Sequence, residues 1–590
     1  MYDKALYHDA RIYTMDPRCP RASAMAVAGG RIMAVGTREE AEAALCGRYQ
    51  SVDLRGLAVV PGFVDCHIHF VWYALGARRL NLDGVTSIGD IVRIVAERAA
   101  HSRPGEWILG HGWNRSIWRD AGVPTREQLD AASPAHPVAL TSKDGHSMWV
   151  NSAALAAARV SGSTADPEGG RIERDARTGE PTGLLRENAQ ALVDRVIPAP
   201  SPSTCEEAVA AAIPRMHELG VVGIHDCEDD LAFRTFQTMA ARRGLGLRVY
   251  MMIPRSNLDH AIELGLQTGF GDAYLRIGPL KVFADGALGS QSAALLEPYL
   301  TNPDSTGILT ASPDELVDVI SRASGAGIAV AVHAIGDRAN RMVLDAFESV
   351  AQRSSDGTAS HPVPESGSWD TIDAAMGAAS QTHAWTPAPQ AAAASTGVAG
   401  AANPAPAGTL HSERLRHRIE HAQLIHPNDM RRFAALAIIA SVQPVHATSD
   451  RYMADLHWGK RASLAYAYRS LAAAGARLAF GSDAPVEAPN PIEGIFAAVT
   501  RKRADEVLLP GWRTEECLTV EEAVRGYTLG AAYASGEEVL KGSIAPGKLA
   551  DFVVLSQDVF AVRPDDIIHT QVLATILGGD VVFDRMGIAV

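Results

Sequence analysis

Two histidines stand two positions apart at the end of an apolar run, in VVPGFVDCHIHF over residues 59–70. On an extended chain, side chains at i and i+2 face the same way, so His67 and His69 can grip one ion. Further along, His333 ends GIAVAV, His421 follows RHRIE, Asp483 follows ARLAFGS, and Lys281 sits inside IGPLKVFADG. Taken singly, each has a plain explanation. A lone histidine beside an apolar run is more often a hydrogen-bonded packing residue than a ligand, and Asp483 before Ala-Pro can organise a turn. Lys281 is odder: Pro279, Leu280, Val282 and Phe283 flank it, and lysine is almost never fully buried without a partner. Jointly, imidazoles with a carboxylate are the donors that hold a divalent cation and activate water.

These residues need elements that bring them to one place. Short apolar runs (VVGIHD, LRIGPLKVFADG, GIAVAVHAIGD, RHRIEHAQLI, LAIIASVQPVH, ARLAFGSDAP) alternate with amphipathic stretches such as SPDELVDVISRASGAG, where Ser312 and Glu315 have capping-box spacing. Strand and helix in alternation predict parallel βα units, and a (β/α)8 barrel of the TIM type is the expected α/β fold. In that fold the carboxyl ends of the strands converge on one face, which would gather His67, His69, Lys281, His333, His421 and Asp483. Both ends of the chain instead read as β-rich, with hairpin signals at Gly29-Gly30 and in VLATILGGDVVF. Neither end is long enough to stand alone, so residues 1–60 and 541–590 are expected to form one small composite β-sandwich around a barrel of residues 61–540. Residues from about 352 to 411 are rich in Ala, Pro, Gly, Ser and Thr. Such composition buries too little apolar area to order a chain, so this segment reads as a disordered insertion.

With 590 residues, the chain has ample length for a large core and at least two domains. Lys and Arg number 54 against 68 Asp and Glu, a net charge of -14 without a dense basic run. This argues against nucleic acid or an anionic membrane as partner, and leaves homo-oligomerisation open. Six scattered cysteines without a framework spacing fit a reducing cytoplasm, and neither a signal peptide nor a membrane-spanning run is expected. Cys66 should point away from His67 and pack.

PGFVDCHIH resembles the first-strand motif of the amidohydrolase superfamily, and KVFADGALGSQSAAL, HAIGDRAN, RHRIEHAQL and FGSDAPV resemble later motifs of its YtcJ-like branch, amidohydrolase family 3, which includes N-substituted formamide deformylases. The likeness continues to GSIAPGKLADFVVL and omits only the 352–411 segment. It implies metal ligation by His67, His69, Lys281, His333, His421 and Asp483, with one or two ions and with Lys281 carboxylated in two-metal members. Zinc suits the donors best, and iron, manganese or nickel share them. It further implies hydrolysis of a non-peptide C–N bond in a small organic substrate by metal-activated hydroxide, with Asp483 taking the proton of the attacking water and passing it to the leaving amine. An N-substituted formamide or N-acyl amine is the first choice; a cyclic amide, imide or ureide, an ester or lactone, and a non-catalytic regulatory metal-binding role stay open.

Family members carry a substrate-side insertion after the first strand, here about residues 71–210. In it WILGHGWNRSIWRD and TSKDGHSMWVN place Trp107, Trp113, Trp118 and Trp149 near Asn114, Lys143, Asp144 and His146. These aromatics can line a cleft, with Trp113, Asn114, His146 and Trp149 against substrate, or they can pack the insertion's own core. His225, Asp226, Asp285, Asp337 and His446 also fall near strand ends. Asp285 and His446 are further substrate-binding candidates, although an Asp-Gly turn accounts for Asp285 equally well.

Overall fold

The computed structural model describes residues 4–119, 122–142, 147–167, 169–355 and 415–588. Eight parallel strands follow one another in chain order: β1 (Phe63–Ile68), β2 (Val221–Asp226), β3 (Arg248–Pro254), β4 (Leu275–Phe283), β5 (Val330–Ala334), β6 (Arg418–His421), β7 (Ile439–Val442) and β8 (Arg477–Phe480). Their apolar runs are buried on both faces because helices cover the outside, which is why they read as continuous rather than alternating. Just past the strand ends, the Asp483 N–H donates to the His67 carbonyl at 2.7 Å and the His69 N–H to the Ala484 carbonyl at 2.9 Å, stitching the seam between β1 and β8. Here Gly481 is required: a Cβ would lie 2.5 Å from the His67 nitrogen. Pro313–Gly325 is a helix opened by the Ser312–Glu315 capping box, as the spacing predicts.

A mixed sheet unites the two ends of the chain. Its strands run in the order Asp580–Asp584, Val572–Leu577, Phe552–Leu555, Gln50–Pro61, Lys4–Tyr13, Ala24–Ala28, Arg31–Gly36. Both Gly-Gly pairs occupy hairpin turns at positive φ, where a side chain would be strained. One core on this sheet joins Tyr7, Ile12, Val52 and Leu54 to Phe552, Val554 and Ile576. Arg248, at the start of β3, binds Asp551 through two hydrogen bonds of 2.7 and 2.8 Å, tying this sheet to the barrel.

A second mixed sheet, of six strands between Leu80 and Glu187, is inserted between β1 and β2. After β5, the helix Asp337–Ser355 runs back along the barrel, and β6 begins close by, since the His417 ring accepts from the N–H of Val330 at the start of β5. Residues 356–411 of the Ala- and Pro-rich segment lie outside the described residues. Among the described residues no helix is long and apolar enough to cross a membrane.

Candidate metal centre and cleft

The strand ends deliver the ligand-type residues to one point. His67 and His69 present Nε2 at 3.4 Å from Asp483 Oδ1, and Lys281 Nζ lies 3.4 Å from His67 Nε2. The His421 ring centre is 4.8 Å from that of His67 and 4.5 Å from that of His333. His446 Nε2 stands 3.8 Å from the other oxygen of Asp483. Two overlapping donor sets result, His67–His69–Asp483 and His421–His446–Asp483, each with its atoms within 4.8 Å of one another. His446 Nε2, expected against substrate, is buried, has no hydrogen-bond partner among the described residues, and faces the carboxylate.

Local backbone makes this convergence possible. His421 and Asp483 adopt φ of 70° and 61°, left-handed values that side-chain-bearing residues rarely take. In a regular strand Glu420 and His421 would face opposite sides; the turn at His421 lets both reach the interior, where Glu420 meets the His67 ring and His421 lies beside it. Such strain persists where the surroundings enforce it and gathers at functional sites.

Each inner imidazole is oriented from behind. His67 Nδ1 bonds Glu420, His421 Nδ1 bonds Gln443 Oε1 at 2.8 Å, and His333 Nε2 bonds the Gly286 carbonyl at 3.2 Å. These acceptors call for N–H on the outward nitrogen and leave a lone pair directed inward, the form that coordinates a metal. Burial and the nearby Lys281 charge lower the imidazole of His67 to about 4 and that of His333 to about 3. Burial also raises the Asp483 carboxyl, but the hydrogen bond with His69 and the histidine charges outweigh it and hold the group well below the ordinary carboxylate range. Imidazole nitrogens gathered around an ionised carboxylate are a donor set that fits a divalent cation.

The other candidates divide. Asp285 is buried and accepts from the backbone of Ala294, Ile335 and Gly336 at 2.8 to 3.0 Å, so it organises the loops after β4 and β5 rather than facing substrate. Burial pushes its carboxyl up to about 7 despite those donors. Trp113 and Trp149 also depart from the substrate-facing expectation. Both pack with Leu82, Ile91, Val95 and Leu140 in the core of the six-stranded insertion, and their indole N–H groups donate to the carbonyls of Leu140 and Thr125. Asn114 adjoins Trp113 and is half-buried; His146 lies outside the described residues. Cys66 packs among Val64, Val222 and Ala479, with burial raising its thiol pKa.

Sequence reasoning missed Arg418 and Glu420, buried behind His67, and Glu228. The Glu228 carboxylate accepts from the N–H groups of Val71 at 2.6 Å and Trp72 at 2.7 Å, while Asp226 accepts from Phe70 at 2.9 Å. Together they hold the first turn of the helix Phe70–Ala77 and so fix the backbone beside His69. Glu228 also faces a cleft of about 630 Å³ whose walls include Trp72, Leu75, Leu231 and Phe283 and whose floor reaches His69 and Lys281. Trp72 is 53% exposed and Phe283 48%, unsatisfied apolar surface directly at the site.

The model of the amidohydrolase family matches residues 50–406 and 387–583. The chain is 32% identical to YtcJ of Bacillus subtilis (strain 168), over 99% of this chain and 100% of that one. It is 27% identical to the N-substituted formamide deformylase of Arthrobacter pascens, over 98% of each. Among solved structures, a metal-dependent hydrolase from Pyrococcus furiosus superposes with a TM-score of 0.71 at 26% identity, covering 94% of this chain and 100% of that one. Motifs, barrel and full-length likeness agree: the chain belongs to the amidohydrolase family.

Proposed function

We propose that this protein is a metal-dependent hydrolase of the C–N bond in a small organic amide with an apolar or aromatic N-substituent, such as an N-substituted formamide or an N-acyl amine. The observation that carries this reading is the junction of the two features above: the donor cluster around Asp483 opens into a cleft walled by Trp72, Leu75, Leu231 and Phe283. A few polar groups at the end of an apolar cleft suit a ligand that is apolar at one end and polar at the reacting end. The formamide deformylase relative is named for an activity of this type.

His67, His69, His333, His421 and Asp483 would hold one or two ions, with His446 beside them. A bound zinc ion would lower the pKa of a coordinated water from 15.7 to about 7 and polarise the amide carbonyl. The remaining work falls to the chain. Asp483, ionised and between two imidazoles, accepts the proton of the attacking water and returns it to the leaving nitrogen. Trp72 and Phe283 seat the N-substituent and exclude water beside the scissile bond. We read Lys281 as carboxylated in the loaded protein: its amine is buried beside His67, and among the described residues it has no carboxylate within ion-pair distance.

The protein stripped of metal, and the same protein after zinc is restored, should be assayed for amine release from N-formyl and N-acyl amines, cyclic imides and simple esters. Zinc-restored turnover of the aromatic N-substituted amides is the expected result. Turnover confined to esters or imides would overturn the substrate class, and zinc binding without any hydrolysis would support a regulatory role instead. Intact-mass analysis of the loaded protein should show an added 44 Da, the mass of carbon dioxide, on Lys281; an unmodified lysine would remove the carbamate.

A further inference from the structure

We propose that Glu420, anchored by Arg418, is a positioning residue that fixes the His67 ring with its Nδ1 proton turned outward and its Nε2 lone pair turned toward the metal centre. This rests on the reading of His67 as a metal ligand. The Glu420 side chain has no solvent exposure and lies between two groups. Its Oε2 bonds His67 Nδ1, and its Oε1 faces Arg418 Nε as an ion pair without the alignment of a hydrogen bond. Arg418 is itself held in place: Nη1 meets His225 Nδ1 at 2.9 Å and Nη2 donates to the Cys66 carbonyl at 3.0 Å.

Packing alone does not explain this arrangement. A buried ion pair is a poor way to fill a barrel interior, because apolar residues of similar volume commonly do so with equal or greater stability. What the pair does provide is direction. A carboxylate cannot donate to Nδ1, so the ring must supply that proton and keep Nε2 free. His67 also differs from its neighbours. The outward nitrogen of His421 bonds a neutral oxygen of Gln443, and that of His333 bonds the Gly286 carbonyl with Asp285 Oδ1 farther off at 3.6 Å, whereas that of His67 bonds a carboxylate directly. A carboxylate behind an imidazole both orients it and raises its basicity as a ligand. Arg418 and Glu420, two positions apart on β6, face the same side by strand alternation, and the positive φ at His421 brings the next ring to that side as well.

The full-length protein, Glu420→Gln, and the double variant Arg418→Met with Glu420→Leu should be compared by zinc competition against a chromophoric chelator. The visible spectra of their Co(II) forms and the thermal midpoints of the metal-free chains complete the comparison. Glu420→Gln keeps an oxygen near Nδ1 but loses the charge. Its apparent zinc Kd should rise about 10- to 100-fold, with a shifted Co(II) spectrum and a metal-free midpoint close to wild type. The double variant, whose apolar pair removes the buried charges together, should show the same weakening. Wild-type zinc affinity and an unchanged Co(II) spectrum in either folded variant would overturn the inference while leaving the metal reading intact. A wild-type chain that binds no zinc would overturn both.

Discussion

Asp551→Ala should loosen the terminal sheet from the barrel far more than loss of one surface ion pair would. Asp551 accepts from Arg248 Nε and Nη2 at 2.7 and 2.8 Å, and one of its oxygens also accepts from the Gly578 N–H at 2.8 Å. The paired side chains are only 3% and 4% exposed, so water cannot replace the lost partner. Removing one member of a buried pair typically costs about 3–5 kcal/mol, and the half-buried Gly578 N–H loses its acceptor as well. By contrast Arg322–Asp259, whose side chains are 45% and 67% exposed, should contribute about 0–1 kcal/mol.

The assay is urea unfolding of wild type, Asp551→Ala, Arg248→Met and the double variant, with hydrogen exchange of Phe552–Leu555 and Gln50–Pro61 as the local readout. Asp551→Ala should be the least stable, because it strands the guanidinium. The double variant should recover part of the loss, giving a coupling of roughly 1–3 kcal/mol. Strictly additive single effects, or an Asp551→Ala loss no larger than that of Asp259→Ala, would refute the reasoning.

Asp483→Asn should keep the fold but lower kcat by about 10²- to 10⁴-fold, the usual contribution of a positioned acid–base group; unchanged turnover would show that the proton goes elsewhere. Trp72→Ala and Phe283→Ala should each reduce kcat/KM for N-benzyl amides more than for N-methyl amides, and equal losses on both substrates would place the N-substituent outside this cleft. His217 is buried, and Nε2 donates to the Gly246 carbonyl at 2.6 Å; burial holds its pKa below the ordinary histidine value. The unfolded chain therefore binds the extra proton first, so this histidine's contribution to stability is present above about pH 6.5 and is lost as pH falls below it, by at most about 1.4 kcal/mol per pH unit. His217→Gln should flatten that acid limb in metal-free protein, and an unchanged slope would exclude the contribution.

The residues most legible in the sequence end apolar runs: His67, His69, His333, His421 and Asp483 needed only the rule that barrel strands point their carboxyl ends to one face. Lys281 could be singled out because a lysine amid Pro, Leu, Val and Phe has few reasons to exist. Trp113 and Trp149 could not be assigned from sequence, since an indole near polar residues reads alike whether it fills a core or lines a cleft. Trp72 and Phe283 form cleft walls, yet each sits inside an otherwise apolar stretch that reads as packing. Glu420 was hidden by the alternation rule itself. Strand geometry sends neighbours to opposite faces, and only the positive φ at His421 sets Glu420 and His421 on the same one.

The course of the chain after β5 has a practical consequence. Asp337–Ser355 leads away from the histidines, and β6 starts near the beginning of β5, so Ser355 and Leu415 leave the barrel on the side opposite the cleft. This makes that side of the barrel a natural docking port for cargo: a fluorescent domain or an affinity handle joined directly at Ser355 or Leu415 would start behind the chemistry rather than at the mouth of the cleft. A fusion at this position could report on the protein's whereabouts and assembly state while the site stays open to substrate.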